Sequence, residues 1–196
     1  IVDVGGESTR PDAKPVHLKE ELTRTIPVIK TLSRKIKAPI SIDTYKPEVA
    51  RQALDNGALM VNDITGLRNP KMAKIIAKYR AGVVIMHIKG NPATMQKNPT
   101  YESLMDEIIE YLDKAINTAI EAGIDRERVV VDPGIGFGKT LEHNLEILKN
   151  LRELKVLGRP ILVGPSRKSF IGKILNVVPQ ERIFGTVSSC ILAVKN

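Results

Sequence analysis

Six short apolar, β-branched runs punctuate the chain, at Ile1–Val4, Pro39–Ile42, Leu59–Val61, Val83–Met86, Val129–Val131 and Ile161–Val163, with longer stretches of helical period between them. Runs of that length read as buried strands. Between the fourth and fifth, Leu104, Ile108, Leu112, Ala115, Ile116 and Ala119 recur at three- and four-residue spacing, which predicts a helix from Ser103 to Gly123. Ser103 and Asp106 resemble a capping pair, and Gly123 is a natural stop. Leu141, Leu145, Leu148 and Leu151 predict one face of a further helix, which Gly158 ends before Pro160 opens the sixth run. Strands joined by helices call for a parallel sheet, because a parallel pair needs a crossover and is covered on both faces. An open doubly wound sheet and a closed (β/α)8 barrel both fit. Six runs are two short of a barrel, but the chain opens inside one apolar stretch and stops inside another, as a barrel cut at both ends would.

The bulk properties narrow the class. At 196 residues, one domain spanning 1–196 is the default. Apolar residues at 42% and charged residues at 27% suit a globular protein and exclude a disordered chain. No apolar run reaches the roughly 20 residues that span a bilayer, which argues against a membrane partner. With Cys190 the lone cysteine, no internal disulfide can form, and a reducing cytoplasm is expected. The net charge of +8 favours anionic partners. With three Phe, four Tyr and no Trp, and with basic residues dispersed among acidic ones, the pattern argues against nucleic acid and for a solvated lysine-rich surface.

Each run ends in polar residues, and a barrel gathers its active site at those ends. In order they are Gly6-Glu7-Ser8-Thr9-Arg10-Pro11, Asp43-Thr44, Asn62-Asp63, His87, Asp132-Pro133-Gly134 and Ser166-Arg167-Lys168-Ser169. Singly, each has a structural reading: Asp43 or Thr44 as a cap for the helix starting near Pro47, Asn62, Asp63 and Asp132 as turn formers, His87 as a wall residue. Six turns supplying carboxylates, an amide and a lysine to one rim favour a site instead. His17, His87 and His143 have no metal-ligand spacing. Gly134–Thr140 approaches a phosphate-binding loop, but Pro133 stands where that motif has its first glycine and offers no N–H to a phosphate. The glycines better suit a tight loop holding Phe137 over the barrel mouth.

These motifs, together with Ser41-Ile42, Met86, Ile135-Gly136-Phe137-Gly138-Lys139 and Phe170, occur in the order seen in dihydropteroate synthases, and the chain resembles that family along nearly its whole length. The resemblance implies a (β/α)8 TIM barrel, incomplete here, and transfer of a dihydropterin-6-ylmethyl group from its pyrophosphate ester to the amine of p-aminobenzoate, releasing pyrophosphate. It implies that Asp43, Asn62, Ile64, Met86, Asp132 and Lys168 bind the pterin. Thr9, Arg10, Pro11, Phe137, Lys168 and Ser169 would bind p-aminobenzoate, with Lys168, Arg10 and Asp132 taking the catalytic roles. Sulfonamide inhibitors, Mg2+ as cofactor and a homodimer follow from the same resemblance. Carboxylates suit the N–H donors of a pterin edge, and an amide and an ammonium suit its acceptors, since each unmet buried polar group costs about 1–3 kcal/mol. An aryl amine is already neutral near pH 7, so a site without a Ser-His-Asp set fits.

The chain departs from the family in Asp12, where glycine is common. The family's first strand, with an Mg2+-binding Asn loop, would precede Ile1, and its last, with the pyrophosphate-gripping Arg and His, would follow Asn196. The expectation is ring recognition without the full grip on pyrophosphate. A methyltetrahydrofolate-corrinoid methyltransferase and a non-catalytic pterin-binding module are the rival readings. The Phe137 loop and Ser166–Phe170 speak against the first.

Overall fold

The computed structural model describes residues 1–10 and 13–196; Pro11 and Asp12 lie outside the described residues. Five strands form one parallel sheet in chain order: β1 (Val2–Gly5), β2 (Ile40–Asp43), β3 (Met60–Asp63), β4 (Gly82–Met86) and β5 (Val129–Asp132). Neighbouring strands consecutive in sequence, every connection carrying a helix, is the winding of a barrel rather than of a doubly wound sheet, whose strand order reverses. The sixth predicted strand is reduced to a single parallel bridge between Val131 and Ile161. Val131 N donates to Pro160 O and Leu162 N to Val131 O, at 3.0 and 2.8 Å. Pro160 has no N–H to extend that ladder downward, and Gly164-Pro165 ends it above.

The helices follow local rules. Helix α1 (Leu18–Lys35) has Glu20 and Glu21 in its first turn and Arg34 and Lys35 in its last, matching its dipole. Helices α2 (Pro47–Asp55) and α3 (Pro70–Tyr79) start on proline, where the missing N–H is harmless. Helix α4 (Leu104–Glu121) occupies the predicted span. Ser103, however, donates its hydroxyl to Asp106 Oδ2 (2.6 Å) and makes no bond to the backbone it precedes. Helix α5 (Leu141–Asn150) opens on a capping box between Thr140 and His143, so His143 has a structural task. Its buried face is Asn144, Ile147, Leu148 and Leu151; Leu145, expected in the same stripe, is 44% exposed, because it lies a quarter-turn off that face. A 3-10 segment (Leu151–Leu157) ends at left-handed Gly158, and α6 (Ser169–Leu175) and α7 (Ile183–Lys195) follow.

The strands alternate. Ile42, Val61, Val83, Ile85, Val129 and Val131 turn outward into the main core beneath the helices, with Ile29, Val49, Met72, Ile76, Ile108, Leu112 and Ile116. The alternate positions, Asp3, Ser41, Asp43, Asn62, Val84, Met86 and Asp132, are therefore left on the concave face. The polar residues read as following the strands are in several cases their last residues: Asp43, Asp63 and Asp132 are in the ladder. A ladder constrains backbone N–H and C=O alone, so Asp43 and Asp132 stay in it facing the barrel interior, while Asp63, at the opposite parity, turns outward and is held by the turn that follows it.

Candidate active site

The sheet register assembles the site. Asp43 pairs with Gly5 on one side and with Asn62 on the other, and Met86 pairs with Asp132, so all stand near the carboxyl ends of adjacent strands. Lys168 comes from the segment beyond the bridge at Ile161. Its side chain shares a cavity wall with Gly136 and Phe137 of the loop that follows Asp132.

Burial pushes the Asp43 carboxyl up to about 7, reinforced by the negative charges of Asp3, Glu21 and Asp63. Its Oδ1 is buried without a hydrogen-bond partner. Burial likewise pushes Asp132 up to about 6, although Oδ1 accepts from Gly134 N at 2.7 Å. Burial also depresses the Lys168 ammonium, assisted by the nearby cation Arg10. An orphaned acceptor beside a second carboxyl and a desolvated ammonium is a poor arrangement for stability and a good one for receiving a flat ring edged with N–H groups and acceptors.

The structural readings of the same motifs divide. Asp63 is a turn former, accepting from Thr65 N, Thr65 Oγ1 and Leu67 N at 2.8, 2.7 and 3.1 Å. Thr44 is no helix cap: its hydroxyl donates to the buried Glu21 at 2.6 Å, and Lys46 precedes α2. Lys46 in turn bonds the carboxylates of Glu7 and Glu21. Tyr45 OH reaches Glu7 Oε1 at 2.5 Å. This network anchors the base of the loop bearing Thr9 and Arg10. His87 is a satisfied wall residue, its Nδ1 at 2.9 Å from Lys139 Nζ, and burial drives its pKa down to about 2.

Asn62 and the aromatic side of the site need refinement. Asn62 Nδ2 donates one N–H to Asp3 Oδ2 at 3.1 Å, which orients the amide and leaves its second N–H and its oxygen for a ligand. Asp3 went unnoticed in the sequence; an aspartate inside an apolar strand at the inward parity is the signal that marks it. Ile64, Met86, Ile88 and Met95 form a second apolar cluster at the mouth, against which Tyr45 and Phe137 pack. Met95 lies in the long β4–α4 connection, which has no periodicity to expose it. Beside this cluster is a cavity of about 580 Å³ lined by Thr9, Arg10, Phe137, Lys168 and Ser169, together with Arg167 and Arg182, with no acidic residue among the described residues of its wall. Lys168 Nζ is 4.1 Å from the centroid of the Phe137 ring, a cation–π contact. Its cationic and aromatic wall suits an aromatic anion.

A parallel α/β sheet wound as a barrel, with polar side chains at the carboxyl ends of its strands beside a cavity, is the layout of a barrel enzyme. The model of the family described as pterin binding enzyme matches residues 1–196. The dihydropteroate synthase of Synechocystis sp. is 50% identical over 196 residues, an alignment covering 99% of this chain and 68% of that protein. That of Clostridium beijerinckii is 47% identical over 195 residues, covering 99% and 70%. A crystal structure of the Yersinia pestis dihydropteroate synthase in a sulfonamide drug complex superposes with a TM-score of 0.96 at 41% identity, covering 98% of this chain and 70% of that one. The chain belongs to the pterin binding enzyme family, and its five parallel strands are an arc of the family's barrel.

Proposed function

We infer that the chain works as a dihydropteroate synthase, joining a dihydropterin pyrophosphate to p-aminobenzoate. What supports this is the sheet register that brings Asp43, Asn62 and Asp132 to the carboxyl ends of the strands, with Lys168 and Phe137 on the wall of one cavity. Asp43 and Asp132 accept from the amino and ring N–H groups of the pterin, and Lys168 donates to its acceptors. Ile64 and Met86 contact its face. Phe137 walls the p-aminobenzoate ring, with Thr9, Arg10 and Ser169 around its carboxylate; Pro11, given the same task by resemblance, lies outside the described residues. The bond from the exocyclic CH2 to the pyrophosphate oxygen breaks with its electron pair on oxygen. The amine nitrogen then forms the new C–N bond and releases a proton. The nearby carboxylates favour the cationic CH2, and Arg10 and Lys168 favour the anionic partners, so the chain acts by position and charge.

Mg2+ remains an expectation from the resemblance. Among the described residues no three of His, Cys, Asp and Glu come together to hold an ion, and no step is assigned to it. We also place the enzyme in the cytoplasm as a homodimer. The lone Cys190 supports the first, together with the finding that no described helix is long and apolar enough to cross a membrane. The exposed apolar side chains Phe184, Val187, Ile191 and Val194 of α7 are surface that pairing would cover.

The direct test is Lys168→Met. Losing a charged hydrogen bond of about 1.5–3 kcal/mol to either substrate should cut turnover about tenfold or more, with an unchanged circular dichroism spectrum. Wild-type turnover in the variant would remove Lys168 from the mechanism.

A further inference from the structure

Lys139 closes the segment that mimics a phosphate loop, yet it is 3% exposed and makes no ion pair among the described residues, although the charge of Asp132 acts on it. Its Nζ lies 2.9 Å from His87 Nδ1 and donates to Phe137 O, also at 2.9 Å. Among the described residues no carboxylate pairs with it, and burial brings its pKa down to about 7. An ammonium without a carboxylate partner is a costly thing to bury for stability alone, which points to a task.

The surroundings indicate which. Several other polar groups of this loop are held by side chains around it. Gly134 N donates to Asp132 Oδ1 and Gly136 N to Asn144 Oδ1, at 2.7 and 2.6 Å. The carbonyls of Gly136 and Gly138 accept from Gln96 Nε2 and Tyr101 OH, each at 2.7 Å. The Phe137 carbonyl has Lys139 as its donor. The same lysine is tied to His87 at the end of β4, so it joins the backbone of the Phe137 loop to the strand bearing Met86. On its other side Phe137 offers its ring to Lys168 in the cavity.

We propose that Lys139 is a positioning residue for the acceptor subsite: it holds the Phe137 backbone at a fixed height above β4, so that the ring stands against Lys168 and the incoming arylamine. The inference rests on the reading of Phe137 as the wall of that subsite.

The test uses steady-state kinetics with both substrates on Phe137→Ala, Lys139→Met, their double variant and Lys139→Gln, which keeps an N–H donor; each variant's melting temperature is recorded. Lys139→Met should raise KM for p-aminobenzoate about tenfold and KM for the dihydropterin pyrophosphate less than about twofold. Phe137→Ala should show the same split, and adding Lys139→Met to it should change nothing further. Lys139→Gln should recover at least half of the p-aminobenzoate loss on a logarithmic scale, and it decides the matter if the Met variant does not fold. A direct reading comes from Phe137→Trp, which gives the chain its single tryptophan: adding the lysine change should red-shift its emission. Equal KM rises for the two substrates, no rise at all, full additivity with Phe137→Ala, or no recovery by Gln would each overturn the proposal. A silent Phe137→Ala would instead remove Phe137 from the subsite, a separate failure.

Discussion

At the scale of single residues, the site is built from groups held away from their preferred ionisation. Asp43, whose ordinary pKa of 3.8 rises to about 7, keeps its proton in the fold over a range where an unfolded chain has lost it. The folded state then binds more protons than the unfolded one from about pH 4 to pH 7, so stability falls as pH rises through that window, and the full penalty is present above it. Asp43→Asn should accordingly melt higher than the parent at pH 8 and alongside it near pH 4; a lower melting temperature at pH 8 would contradict this. Ligand binding runs the other way. A pterin edge offers N–H donors, which an ionised carboxylate receives best, so affinity for a 6-hydroxymethylpterin should drop by up to about tenfold per pH unit below 7. Calorimetric titration in buffers of different ionisation enthalpy should show proton release near pH 6.5, and a flat affinity from pH 5.5 to 8.5 would sink the assignment of Asp43.

Among elements, the loop from β5 to α5 is the most tightly specified. Gly134 has φ +69°, and a Cβ there would stand 2.0 Å from the carbonyl oxygen of His87, a backbone atom at the end of β4 that cannot rotate away. Gly123, at the end of α4, also has positive φ (+93°), but a Cβ there would meet only Ala77 Cβ at 3.8 Å. The pair separates conformational strain from collision. Gly123→Ala should cost about 1 kcal/mol, which for a chain of this length is a melting shift of roughly 2–4 °C. Gly134→Ala carries the same strain and must also push the Phe137 loop off β4, so it should lose more stability and raise KM for p-aminobenzoate. Equal melting shifts in the two variants, with unchanged KM, would show that the close approach at His87 is relieved elsewhere.

For the whole molecule, charge is the property that extends past the site. The net charge of +8 and a cavity wall with Arg10, Arg167, Lys168 and Arg182 but, among the described residues, no acidic one face substrates that are both anions. Attraction of this kind acts over about a Debye length, about 10 Å at 0.1 M ionic strength and about 3 Å at 1 M. Raising sodium chloride from 0.05 to 0.5 M should therefore lower kcat/KM several-fold through KM, while kcat stays nearly level. A salt-independent kcat/KM would show that association is governed by the contacts alone.

The sequence by itself determined that the strands are parallel, because short apolar runs separated by amphipathic helices can bury both faces only as parallel strands with crossovers; the strand order that makes the sheet an arc of a barrel came from the structure. It also pointed to Asp43, Asn62, Asp132 and Lys168 as polar residues that strand ends gather on one rim, while their roles and that of Phe137 came from the family resemblance. Boundaries were less legible: Ile161–Val163 looks like any other strand run, and only the placement of Pro160 against Val131 reduces it to a bridge. The fate of Leu145 and the bond between Ser103 and Asp106 likewise turn on which side of a helix faces a neighbour. Tertiary structure alone decided the partnerships of charge. Asp3 engages Asn62 across 59 positions, Lys46 joins Glu7 to Glu21, and Lys139 reaches His87 across 52. Periodicity records which face of an element avoids water. It carries no record of which distant side chain stands opposite, because that depends on how the sheet curves and how far each loop reaches over its rim.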